Sequence, residues 1–277
     1  MGTEIALSSA IRENLLALAN TQDLISRTQN RLSTGLRVAS PIDDARVFFE
    51  AKALTDHAAD MAEKKEGIDQ AISSVTTAVE AIEAIEGIVG QMKGLTIGAR
   101  TASGSELTSL VEQFNDLRTQ IDNLASDATY QGLNLVNGTA TQLTVRFSND
   151  TASVLVIDGV DLRASSTGLA IGSVQGSVNG FSLASNIEGS LDQLDDAVST
   201  LRGAAKALGS NVALLQTRLD FTKDYVNLLE GGAGKLTLAD INEEGANLVA
   251  LQTRQQLGIS ALAFAGQSEQ SVLALFN

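Results

Sequence analysis

Histidine occurs once in this 277-residue chain, at His57, with Asp56 beside it and Asp60 three positions on. An Asp–His pair one helical turn apart can ligate a metal, but a stable site needs three or four donors and no second ligand cluster is present. A charged helix face is the simpler account. The carboxylate pairs Asp43/Asp44, Asp195/Asp196 and Glu243/Glu244 are candidates for acid–base work, which requires two groups converging on one substrate. Neighbouring residues of a helix point about 100° apart, so solvation or helix capping suits these pairs better. Gly231 to Lys235 resembles a phosphate loop only faintly. Leu229 stands where the first glycine belongs, and Leu236 follows the lysine in place of Ser or Thr, so the spacing fails. Asn137-Gly138-Thr139 and Asn149-Asp150-Thr151 match the N-glycosylation sequon, a pattern with many chance hits. No arrangement supports catalysis, and neither a cofactor nor a metal is expected.

What the chain does repeat is apolar spacing. From Ile187 to Leu229 steps of three and four pick out Leu191, Leu194, Val198, Leu201, Ala205, Leu208, Val212, Leu215 and Leu219, with only Thr222 interrupting. A 3.5-residue period held over about six heptads predicts one long helix, roughly 65 Å from end to end. Ser185 and Glu188 have capping-box spacing at its start, and Gly231-Gly232 is the expected stop. The seam is read as intrachain, the rod against which other helices of the same chain pack.

Composition agrees with helices on helices. The chain is 44% hydrophobic but only 4% aromatic, with no Trp and one Pro, which suits slender aliphatic packing. A net charge of −14 disfavours a nucleic-acid partner. Residues 41–137 hold sixteen acidic against seven basic side chains and read as a solvated surface, whereas 246–277 carry only Arg254 and Glu269 and read as buried on most sides. With no cysteine there is neither disulfide framework nor thiolate chemistry. No apolar run is of membrane-spanning length, so no membrane partner is expected. Met1-Gly2-Thr3-Glu4 lacks the basic start of a secretory signal.

In chain order, a first helix is predicted from about Glu4 to Leu32 or Ser33, its stripe running Ile11, Leu15, Leu18, Gln22, Ile25, Gln29, Leu32 and Leu36. The two glutamines interrupt the seam and are expected to set register. Ser40 is the expected cap of the next segment and Pro41 its first helical residue. A second helix over about Thr55 to Ala102 and a third carrying Leu107 to Ala128, capped by Ser103 or Ser105, are expected to join the first in an antiparallel three-helix bundle. Alternation at Leu143, Val145, Phe147 and around Val154 to Ile157 predicts one or two hairpins at the bundle's far end. A last helix from about Thr237 to Phe276 carries Leu248, Leu251, Leu257, Ile259, Leu262, Phe264, Val272 and Leu275 over most of its circumference. That much wet apolar surface drives association. The fold expected is therefore mainly α, a long antiparallel helical bundle with paired N- and C-terminal coiled-coil helices and a small β-rich insert.

Several ordered stretches resemble bacterial flagellin. Gln29-Asn30-Arg31-Leu32-Ser33-Thr34-Gly35-Leu36-Arg37-Val38 followed by Asp43-Asp44-Ala45 is similar to the family's N-terminal signature. Gln113 to Gly138, ending Tyr130-Gln131-Gly132-Leu133-Asn134-Leu135-Val136-Asn137-Gly138, resembles its central block, and Gln255 to Ala263 with Gln270 to Leu275 resembles its tail. The resemblance covers all but about 139–185. It implies a structural, non-enzymatic subunit: residues 1–40 with 238–277 as an inner coiled-coil layer, 41–138 with 186–237 as an outer helical layer, and 139–185 as a variable insert. The inner-layer side chains it implies are Ile11, Leu15, Leu18, Ile25, Leu32, Leu36, Leu248, Leu251, Leu257, Leu262, Phe264, Val272 and Leu275. It also implies other copies of the chain as the main partner, in an extracellular flagellar filament. An export chaperone, a cap and hook-junction proteins would assist, with type III export in place of a cleaved signal. Two places depart from the family. Gln91, Lys93 and Gly94 replace residues of the "LQRMRELAVQA" pattern that engages an innate immune receptor in some members, which argues against that binding. Ala239-Asp240-Ile241-Asn242-Glu243-Glu244 departs from the usual run before the last helix, with Asp240 the expected cap. A hook–filament junction protein is the runner-up. A helical chaperone or signalling coiled coil, the reading from another class, would form discrete dimers.

Overall fold

In the computed structural model, which describes residues 9–174 and 180–275, the helical periods become five helices and the period-2 stretch one hairpin. These are α1 (Ser9–Thr34), α2 (Ala45–Gly98), α3 (Ser105–Asp127), β1 (Gln142–Arg146), β2 (Val154–Asp158), α4 (Ala184–Thr237) and α5 (Ile241–Leu275). The expected class holds: mainly α, antiparallel, with paired terminal helices and a small β insert. The chain divides into two compact units, residues 1–57 with 228–277, and residues 58–227.

Local chemistry moves several boundaries. Helix α2 starts at Ala45, ten residues before the expected Thr55, because its first turns carry no regular stripe to announce them. Ser40 and Pro41 do not open it. The Asp43 carboxylate folds back onto the Ala39 and Ser40 amides at 3.1 and 3.0 Å, making a turn, and Asp44 Oδ1 accepts from the Val47 amide at 3.1 Å as the true cap. Before α3 the capping position belongs to Gly104, at φ 59 and with no side-chain capping bond, rather than to Ser103 or Ser105. Helix α4 contains Ser185 within its first turn and runs through Gly231, Gly232 and Gly234 to Thr237. Glycine tolerates an ending without imposing one. At α5 the expected cap is present, with Asp240 Oδ1 accepting from the Asn242 and Glu243 amides at 2.9 and 3.3 Å.

In the unit of residues 58–227, α2 and α4 run antiparallel: Glu86 bonds Arg202, and Lys93 pairs with Asp195 nearer the other end of each segment. Ile68, Val75, Ile82, Ile85, Val89 and Met92 of α2 share one core with Phe114, Ile121 and Ala125 of α3 and with the α4 seam. The three-helix group is thus α2, α3 and α4. The expectation that the opening helix joins it is overturned, since α1 packs along α5.

The insert is one antiparallel hairpin, with Thr144 opposite Val156. Its inner face (Val145, Phe147 and Ile157), together with Leu162 and Ile171 beyond it, enters the same core. It does not sit at the bundle's far end. Tyr130 and Gln131 bond Gln70, the Arg218 guanidinium lies 4.9 Å over the Phe147 ring, and Asn149 near the hairpin tip bonds Asp60. Each contact is with the flanks of α2 and α4. A two-stranded ribbon is marginal alone and must lie on something apolar, which the flank offers.

Candidate assembly surfaces

Residues 1–57 and 228–277 carry the side chains that the sequence marks for assembly. Gly35 at φ 70 turns the chain out of α1, after which the Arg37 and Val38 amides donate to Thr237 O and the Ala239 amide to Gly35 O. Leu36 and Leu238 form an isolated antiparallel bridge there. From that joint α1 and α5 run antiparallel. Arg31 bonds Glu244 at 2.8 Å, Gln22 accepts from Gln255 at 2.7 Å, and Leu18 lies 3.2 Å from where a Cβ on Gly258 would stand. A side chain at 258 would press on Leu18, which would have to shift by a few tenths of an ångström. Glu244 is buried, so the Arg31 guanidinium is what makes its charge tolerable. Gln22, expected in the seam, is exposed beside it and makes an amide–amide bond to Gln255 on the facing helix.

The pairing sorts the expected inner-layer residues into two groups. Ile11 and Ile25 are buried, and Leu18, Leu32, Leu36, Leu248, Leu251 and Leu262 are half-buried. On α5 the covered positions step by three and four, from Glu244 through Leu248, Leu251, Gln255 and Gly258 to Leu262. Leu15, Leu257 and Phe264 are instead exposed, Phe264 by 71%. The side chains of Val272 and Leu275 lie outside the described residues. Exposed beside these are Leu16, Leu24, Val249 and Ile259, of which only Ile259 was marked in the sequence. Two helices cover one stripe each, so a helix apolar around most of its girth keeps a wet face. The tail expected to be buried on most sides is, in the single chain, open along that face.

The intrachain seam residues lie in or against a core. Leu194, Leu201, Leu208 and Leu215 are fully buried, and Leu191, Val198, Val212 and Leu219 are partly buried against the same cluster. Thr222 breaks the stripe without breaking the helix, since its buried hydroxyl donates to Arg218 O at 2.8 Å.

Most of the carboxylates considered for chemistry have structural partners. Asp56 pairs with Lys52 and Asp60 with Asn149, and among the described residues no three potential ligands converge. Asp195 pairs with Lys93, and Glu244 with Arg31. Backbone and hydroxyl donation from Ser40, with the Ala39 amide, holds the Asp43 carboxyl below its ordinary range. In the other unit the Arg163 side chain does the same for Asp161 and is itself pushed up by that carboxylate. Among the described residues, no helix is long and apolar enough to cross a membrane.

Comparison with known proteins places this geometry. The profile of the bacterial flagellin N-terminal helical region matches residues 6–141, and that of the C-terminal helical region matches residues 191–276. Flagellin from Brucella melitensis is 32% identical over 284 aligned positions spanning all of both chains. Flagellin FljM from Caulobacter vibrioides is 30% identical over 274, covering 95% of this chain and 96% of its own. The solved structure of a protein described as flagellar hook-associated, from Vibrio parahaemolyticus, shares the fold at a TM-score of 0.57 and 13% identity, covering 71% of this chain and all of that one. With both terminal regions matched and relatives aligned over nearly its whole length, the chain belongs to the bacterial flagellin family and is a subunit that self-assembles into the flagellar filament.

Proposed function

We propose that polymerisation uses the outward faces of α1 and α5 as an inner layer, with Leu15, Leu16, Leu24, Val249, Leu257, Ile259 and Phe264 meeting equivalent helices of neighbouring copies. Ile11, Leu18, Ile25, Leu32, Leu36, Leu248, Leu251 and Leu262 hold the pair together within one subunit so that this face is presented. The observation that carries the reading is an apolar face left wet on helices already paired. Burying a Leu or Phe gains about 1.5–3 kcal/mol, so a few such contacts repeated along a polymer offset the cost of ordering each added subunit. The residues of 41–138 and 186–237 form the outer helical layer and 139–185 its decoration. Export in the unfolded state, a chaperone, a distal cap and hook-junction proteins follow from the family resemblance, and the assembled product lies outside the cell. A structural role leaves catalysis without a part. Lys93 is engaged by Asp195, which with Gln91 and Gly94 argues against immune-receptor binding.

The test is electron microscopy after salting out the purified chain, intact and lacking residues 245–277. Long filaments are expected from the first and none from the second, whose 58–227 unit should keep its thermal transition. Discrete dimers from the intact chain would overturn the polymer reading, and normal filaments from the truncation would remove α5 from the interface.

A further inference from the structure

Asn137-Gly138 has a chemistry that assembly leaves unused. Among the described residues, the side-chain oxygen of Asn137 is the one buried side-chain polar atom without a hydrogen-bond partner, although the backbone around it is tied on every side. The Asn137 amide donates to Asn134 Oδ1 at 2.9 Å, the Gly138 amide to Val160 O at 3.3 Å and the Leu162 amide to Val136 O at 2.9 Å. Asn137 and Asp161 face each other in an isolated antiparallel bridge. Gly138 sits at φ 151, open to glycine alone, and its carbonyl would lie 2.6 Å from a Cβ on Gly159. The two backbone segments touch directly.

An asparagine followed by glycine is open to attack by the next backbone nitrogen, because no Cβ shields the approach. Hydroxide takes the Gly138 amide proton and the nitrogen attacks Asn137 Cγ. A C–N bond closes a five-membered succinimide and ammonia leaves. Water then opens the ring at either carbonyl, leaving aspartate or isoaspartate. In the folded chain the proton to be removed is bonded to Val160 O, and the bridge to Asp161 prevents the peptide from rotating toward the side chain.

We propose that Asn137 is a self-deamidation site gated by folding, reactive while residues 135–162 are open and silent once they close, and that the reaction marks the chain with a less stable fold. A carboxylate at 137 would place negative charge on a buried oxygen with no donor, directly across from Asp161. Isoaspartate would add a backbone methylene between two bridging hydrogen bonds. Either product records time spent unfolded.

The full-length chain, incubated in mildly alkaline buffer with and without guanidinium, tests both halves. Peptide mass spectrometry reads amide-to-acid conversion, and an isoaspartyl methyltransferase assay reads the isomer. Conversion at Asn137 should be at least about tenfold slower in native buffer, as expected when reaction requires local opening. Equal rates in the two buffers would overturn the gating. In guanidinium the chain's other Asn-Gly pair, Asn179-Gly180, serves as reference, and an Asn137 much slower than Asn179 there would overturn its reactivity. For the mark, Asn137→Asp should unfold at lower denaturant than both the wild type and Asn137→Ala, the latter controlling for the lost amide. A midpoint for Asp no lower than for Ala would overturn it.

Discussion

Residues 58–227 hide their apolar stripes, while residues 1–57 with 228–277 display theirs, although both are built from aliphatic heptads with almost no rings. In the first unit three helices meet around Ile68, Ile85, Met92, Ile121, Leu194 and Leu201, and the hairpin seals the remaining side with Val145 and Ile157. In the second, α1 and α5 cover one stripe each. Of the eighteen large apolar side chains that stand exposed among the described residues, twelve belong to this smaller unit. Heptad spacing says that a helix needs a partner. The number of apolar faces on the helix says how many, and α5 has more faces than its own chain fills.

The largest expected effect breaks that contrast on the exposed side. Leu257→Asp with Phe264→Asp should abolish filament growth in a sedimentation assay and leave the monomer's melting within about 0.5 kcal/mol of wild type, since both side chains already meet water. Polymers formed at the normal rate would move the interface off this face. The mirror experiment, Phe114→Ala, attacks the sealed unit. Phe114 is 1% exposed and meets Phe181 edge-on at 5.4 Å between centroids, so urea unfolding should show a loss of about 3–5 kcal/mol. A loss below 1 kcal/mol would mean that the core repacks freely around the gap.

Period was legible and termini were not. The α4 seam and the hairpin alternation are read directly from residue spacing, because helices and strands each repeat what they bury. The α1 stripe is only partly so, since Leu15, Gln22 and Gln29 are exposed while Thr21 and Thr28 are buried. Helix ends depend on single hydrogen bonds that several residues compete to make. At the start of α2 the sequence offers Ser40, Asp43 and Asp44, and only the geometry of the turn decides that Asp43 closes on the Ala39 and Ser40 amides while Asp44 caps. Partner choice was half legible. Both terminal helices asked for company, and their mutual pairing follows from the antiparallel topology, but Gly258, which lets Leu18 approach, reads in the sequence as one more small residue in a helix. The hairpin's position was missed for a similar reason. Asn149–Asp60 and Arg218–Phe147 join residues far apart in sequence, and nothing local marks them.

A smaller effect sharpens the boundary at α2. Asp44→Ala removes the bond to the Val47 amide and should cost about 1 kcal/mol, read as a lowered thermal midpoint. Asp43→Ala should instead loosen the turn without fraying the helix. If hydrogen exchange at Val47 rises more for the Asp43 variant than for Asp44→Ala, the assignment of cap and turn is reversed.

The smallest effect compares one carboxylate from each unit under acid. Arg163 lowers Asp161, and the Ser40 and Ala39 groups lower Asp43, both from an ordinary value of 3.8. A carboxyl whose folded pKa lies below its unfolded one stabilises fully at pH above the unfolded value, and loses that contribution as pH falls through the folded value. Both groups therefore stabilise at neutral pH and stop doing so in acid, at pH values under 3.8. Asp161→Asn should lower the denaturant midpoint at pH 7, and the gap to wild type should close as pH drops through that range. The Asp161 carboxylate also ties Arg163 and Thr167 in the segment that faces Asn137, so its loss should raise local opening in the 58–227 unit alone, whereas Asp43→Asn should do so only around residues 39–44. A gap for Asp161→Asn that stays constant down to strong acid would show that the carboxylate's charge is irrelevant, and that its pair with Arg163, whose side chain is 41% exposed, is a contact of the kind that contributes nothing measurable.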